Sequence, residues 1–143
     1  MTLTPLISSF TAELTDMKTS SFRAAAFAVL LLLNGAAVRA EVIDIQWDGS
    51  GRFDKVLSVA PGKFAEVCGK LVKGRTVDWS FKAGSALDFN IHFHAGKKVE
   101  FPAKVDGLSS AAGTLATSTE QDYCWMWTNK ADQPSALTLS LQN

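Results

Sequence analysis

The chain has 143 residues, 14 basic and 14 acidic, and is 47% hydrophobic and 10% aromatic. That charge balance excludes the basic surface a nucleic-acid partner or an anionic membrane would require. The apolar content is ample for a packed core, and residues 41–143 contain no Pro-rich linker, charge block, low-complexity tract or internal repeat.

The N-terminal part reads as targeting rather than fold. Lys18 and Arg23 supply a basic start, Ala24 to Leu33 an apolar stretch, and Val38 and Ala40 the small residues at −3 and −1 of a cleavage site after Ala40. This is the pattern of a secretory signal peptide. The apolar stretch is about half the roughly 20 residues that a membrane helix needs, and an uncleaved anchor is the alternative. Met17 then reads as the start of the exported precursor, with residues 1–16 as an extension ahead of it. Residues 41–143 are predicted to be a single domain, periplasmic or secreted and without a transmembrane anchor, carrying eleven basic residues against twelve acidic ones.

Within that domain the pattern is one of strands. Val42–Trp47, Lys55–Val59 and Phe64–Cys68 come first, divided by turn signals such as Pro61-Gly62. "RTVDWSF" alternates Val77, Trp79 and Phe81 with Thr76, Asp78 and Ser80. After Ala83-Gly84, "LDFNIHFH" alternates Leu87, Phe89, Ile91 and Phe93 with Asp88, Asn90, His92 and His94. Lys98–Phe101 follows Ala95-Gly96, Gly113–Ala116 follows Asp106-Gly107, and Tyr123–Thr128 and "ALTLSL" (Leu137, Leu139, Leu141) complete the set. Period two, β-branched and aromatic enrichment and regular turns predict an all-β fold, an antiparallel β-sandwich of about seven to nine short strands. No segment of the domain has a helical period.

If Phe89, Ile91 and Phe93 fill the core, then His92 and His94 project from the outer face beside Asn90 and are expected to be more exposed than those three. Two histidines separated by one residue stand about 7 Å apart along a strand, close enough to ligate one metal ion, although the same spacing occurs on many solvated strands.

The only cysteines are Cys68 and Cys124, and in an exported protein the default for such a pair is a disulfide. Two thiolate ligands for a soft metal would normally be closer in sequence. The stretch "QDYCWMWTN" is apolar on both faces. With Cys124 directed inward to meet Cys68, Met126 also points inward. Tyr123, Trp125 and Trp127 then line the outer face, where they need cover from a loop or a partner.

These segments resemble a GOLD domain, the β-sandwich of Golgi-associated cargo receptors and some lipid-binding proteins. The resemblance runs from "VCGKLVKGRTVDWSFKAGSALDFNIHFHAGKKV" to "YCWMWTNKADQPSALTLSL". In the cargo-receptor branch an early Cys is bridged to an aromatic-Cys-aromatic element with a following Asn. That implies a disulfide between Cys68 and Cys124, in the element Tyr123-Cys124-Trp125 with Asn129. It also implies binding rather than catalysis. The coiled coil and membrane helix of the cargo receptors have no counterpart here.

An enzyme is not expected. No Ser lies in a nucleophile elbow and no Gly-rich phosphate loop is present. Two readings remain. The first is an exported binding module, without a cofactor, that recognises a protein, lipid or glycan through Asn90, His92, His94, Tyr123, Trp125 and Trp127. The second is a small copper-binding protein using His92, His94 and Met126, since imidazole and thioether both suit copper. The parity that sends Met126 inward with Cys124 counts against the second.

Overall fold

The computed structural model describes residues 41–143; the segment read as a signal peptide and the cleavage expected after Ala40 lie outside the described residues. Seven strands build the domain: β1 (Glu41–Asp44), β2 (Arg52–Val59), β3 (Phe64–Leu71), β4 (Thr76–Ala95), β5 (Lys98–Ala116), β6 (Gln121–Thr128) and β7 (Ser135–Gln142). None of the described residues is helical, and among them no helix is long and apolar enough to cross a membrane.

The strands join in one mixed sheet of order β1-β3-β6-β4-β7-β2, with β5 alongside β4. The pairs are antiparallel except β1, which runs parallel to β3. Two strands are far longer than the short ones expected. "RTVDWSF" and "LDFNIHFH" lie on the single 20-residue β4, and the separate strands expected at 98–101 and 113–116 lie on the 19-residue β5. Ala83-Gly84 is therefore no turn. The strand bends there instead, with register shifts against β5 between Lys82 and Leu87 and again before Phe89, and Ser85 N–H donates to Ser135 Oγ at 3.1 Å.

That bend curls the sheet on itself. Asp78–Ala83 of β4 pairs with β7, whereas Asp88–His92 pairs with β6. The two halves meet face to face, and Phe81 from the first lies 4.9 Å from Phe89 and 5.6 Å from Trp127 in the second, centroid to centroid. The chain reverses where the turn chemistry allows it. Pro61 and Gly62 occupy the centre of a turn closed by Lys63 N–H to Ala60 C=O, with Gly62 at φ +65° as a type II turn demands. Gly96 at φ +64° opens the two-residue β4–β5 hairpin.

The orientation expected for β6 is reversed. Tyr123, Trp125 and Trp127 point into the core, fully buried, beside Val67, Phe89 and Ile91. Cys124 and Met126 face outward. The inward assignment assumed that the disulfide would bridge two sheets, but Cys68 and Cys124 sit opposite each other on the adjacent strands β3 and β6. Freed from that assumption, burial decides the parity. Each large aromatic buries about 150–250 Å², at roughly 25 cal/mol per Å², so three rings outweigh one half-cystine and one thioether. The cost is that the indole N–H groups of Trp125 and Trp127 have no hydrogen-bond partner.

Candidate functional site

The outer face of β3, β6, β4 and β5 carries the polar side chains that those strands cannot bury. Register sets them in rows. Glu66, Met126, Asn90 and Lys104 are successive cross-strand neighbours, and Cys68, Cys124 and His92 form the next row. His94 lies one step further along, opposite Val99.

Beside His92 the ladder is irregular. Ile91 pairs with Ala103 and Phe93 with Glu100, so Phe101 and Pro102 together oppose the single residue His92. Pro102 has no N–H to give the ladder, which suits a bulge on an edge strand. Phe101 comes within 6.0 Å of the His92 ring, centroid to centroid, and Lys104 Nζ stands 5.0 Å from the Phe101 centroid. The phenyl ring is 47% exposed. A depression of about 360 Å³ results, bounded by Glu66, Met126, Asn90, His92 and His94 on one side and by Val99, Phe101 and Lys104 on the other.

His92 is at its centre. Although on the outer face, it is only 6% exposed, so the expectation that it would be more open than Phe93, at 8%, does not hold. The bulged Phe101 and the neighbouring strands cover it. His92 Nδ1 lies 2.8 Å from Asn90 Oδ1, so with that oxygen facing the ring Nδ1 carries the proton and donates. Nε2 is 3.6 Å from Glu66 Oε1, too far for a hydrogen bond. The His94 ring stands edge-on to it, with centroids 5.5 Å apart. Burial pushes the His92 pKa below its ordinary value. The Glu66 carboxylate acts upward against this, and His94 lowers it further. Neutral His92 thus turns an unshared electron pair toward a carboxylate.

The structure brings together Asn90, His92, His94 and Met126, and it separates them from Tyr123, Trp125 and Trp127, which lie on the core side of the same sheet. Met126 belongs to the outer face, contrary to the inward position expected of it. Glu66, Phe101 and Lys104 were missed. The alternation in "FAEVCG", with Ala65 and Val67 buried, marks Glu66 as outward, but nothing local says which strand lies beside it. Among the described residues the one group of three His, Cys, Asp or Glu side chains whose ligand atoms all lie within 4.8 Å of one another is Glu66 with Cys68 and Cys124; Glu66, His92 and His94 do not converge so closely. The two sulfurs are joined to each other and offer no thiolate.

No family model and no curated protein matches the chain. Solved structures do. The pre-peptidase C-terminal domain of a Bacillus anthracis collagenase superposes with a TM-score of 0.50 at 12% identity, over 73% of this chain and 95% of that one. PliG of Salmonella Typhimurium, a periplasmic inhibitor of g-type lysozyme, gives 0.50 at 8% identity, over 73% and 98%. At such identities the likeness is one of fold, a small all-β domain.

Proposed function

We propose that this protein is an exported, non-catalytic binding module that recognises a protein partner through the outer face centred on His92. The observation that carries the reading is the depression itself. Half-exposed Phe101 and Val99 stand against a ring of polar groups, Glu66, Asn90, His92 and Lys104. An apolar anchor beside a few convergent polar groups is how binding surfaces are built. Export is supported by the disulfide, which persists in oxidising compartments, and by the signal-like segment before residue 41. PliG, which shares the fold, inhibits another protein. The GOLD resemblance supports the same class of function through Cys68, the Tyr123-Cys124-Trp125 element and Asn129.

The test is comparative cross-linking in the cell envelope with Phe101→Ala and, as a control on β2 at the other end of the sheet, exposed Val56→Ala. A protein cross-linked by the wild type and by Val56→Ala but lost in Phe101→Ala supports the reading. Equal cross-linking by all three removes this face as the docking surface. Assay of lysozyme activity in the presence of the purified protein asks whether the partner class of PliG is shared.

A further inference from the structure

We infer that the depression takes a lysine or arginine side chain of the protein partner, its cationic head held by the Glu66 carboxylate and the unprotonated Nε2 of His92. That rests on the reading above and names the chemistry of the partner. The starting point is a contrast between two carboxylates. The side chains of Asp88 and Glu66 are withdrawn from water to a similar degree, 20% and 18% exposed. Asp88 is compensated, since Lys130 pairs with it and Gly107 N–H donates to it at 3.0 Å. Glu66 is not. Among the described residues its only ionisable partner is neutral His92, 3.6 Å away, and it accepts no hydrogen bond. A carboxylate this far out of water, with neither a cation nor a donor, destabilises the surface that holds it. A cation brought by the partner removes that penalty.

The surroundings fit the rest of a basic side chain. Register continues the row outward to β1, where Val42 is the neighbour of Glu66 opposite Met126. Val42 is 60% exposed. It and Met126 flank the carboxylate with apolar surface on which the methylenes of a long cationic side chain pack. The chain's own Lys104 does not fill this place. It lies three strands from Glu66 in the same row, roughly 14 Å at the usual strand spacing, and its Nζ is over the Phe101 ring instead. His92 supplies the second acceptor. With Nδ1 committed to Asn90, Nε2 presents its electron pair 3.6 Å from Glu66 Oε1, with no proton between them. Two acceptors that face each other in this way call for N–H groups from outside, and one ammonium or guanidinium carries several.

The experiment is an NMR titration of the purified, disulfide-intact protein with blocked Gly-Gly-X-Gly-Gly peptides in which X is arginine, lysine or the uncharged citrulline. Saturable shifts of the Glu66 carboxyl and His92 ring resonances are expected with a cationic peptide and not with citrulline. Binding of only one of the two cations supports the site and names the head group it prefers. Glu66→Gln keeps the shape and gives up no hydrogen bond, so it should fold. It is expected to weaken binding at least roughly tenfold, as loss of one partner of a charge pair does. Asp54→Asn, which removes an exposed carboxylate on β2, should leave binding unchanged and so exclude general attraction of cations. Equal shifts with citrulline, equal affinity in Glu66→Gln, or no shift with either cation overturns the inference. The two readings fail separately. Cross-linking that survives Phe101→Ala removes the docking face whatever the peptides do, whereas a failed peptide titration leaves a Phe101-dependent partner in place and only its basic anchor is lost.

Discussion

Cys68 and Cys124 face each other in register across β3 and β6, their Cα atoms 4.1 Å apart and their sulfurs bonded, on the solvent side of the sheet. The bridge closes a separation of 56 residues without entering the core. In the chain-entropy account such a loop is worth about 4 kcal/mol. The Cys68→Ala, Cys124→Ala double variant should therefore lose about that much stability in urea denaturation while keeping its fold. Thiol titration of the denatured, unreduced protein should find no free sulfhydryl.

Trp127 is wholly buried against Phe81 and Phe89. Trp127→Ala should cost about 3–5 kcal/mol, and Trp125→Ala a similar amount, as loss of core rather than of partner contact. Trp127→Phe should cost clearly less, because the indole N–H it removes has no hydrogen-bond partner. Denaturation midpoints of the three variants check this. Equal losses from Phe and Ala would show that the indole N–H is bonded after all.

Asn129 is fully buried and ties the end of β2 to the loop that leads from β6 to β7. Its Nδ2 donates to Val59 C=O at 2.9 Å and Gln133 C=O at 2.8 Å, and its Oδ1 accepts from Ala131 N–H at 2.9 Å. Asn129→Ala leaves these groups without partners and should destabilise the domain by about 2–4 kcal/mol, since each buried unsatisfied group costs about 1–3 kcal/mol and water can reach some of them. Asn129→Asp, which accepts but cannot donate, should not rescue it.

The His92 imidazole is harder to protonate in the folded protein than in the unfolded chain, whose ordinary value is 6.5. As pH falls through that value the unfolded state takes up a proton that the folded state resists. Stability should therefore decline with acidification below about pH 6.5 and level off once folded His92 also protonates. Glu66 opposes the effect and exposed His94 reinforces it. Urea midpoints between pH 7.5 and 5 should fall less steeply for His92→Gln than for the wild type, and parallel slopes would contradict the assignment.

Much of this was legible in the residues themselves. Alternation in "LDFNIHFH" placed Phe89, Ile91 and Phe93 inward and Asn90, His92 and His94 outward, because a strand's side chains have no other choice once one set is apolar. Two cysteines in a chain with an export-like leader announced a disulfide. The turn chemistry of Pro61-Gly62 and Ala95-Gly96 marked reversals that the fold uses.

The parity of β6 was not legible, since "YCWMWT" is apolar on both faces and either could fill the core. Only the register that sets Cys124 beside Cys68 and Trp125 beside Ile91 decides it. Likewise no local pattern reports that Glu66, Met126 and Asn90 are neighbours across three strands, or that Pro102 shifts β5 so that Phe101 covers His92. Residue type and period act over a few neighbouring positions and govern which way a side chain points. The partner it meets depends on strand order and bulges, which are settled by packing the whole sheet against itself.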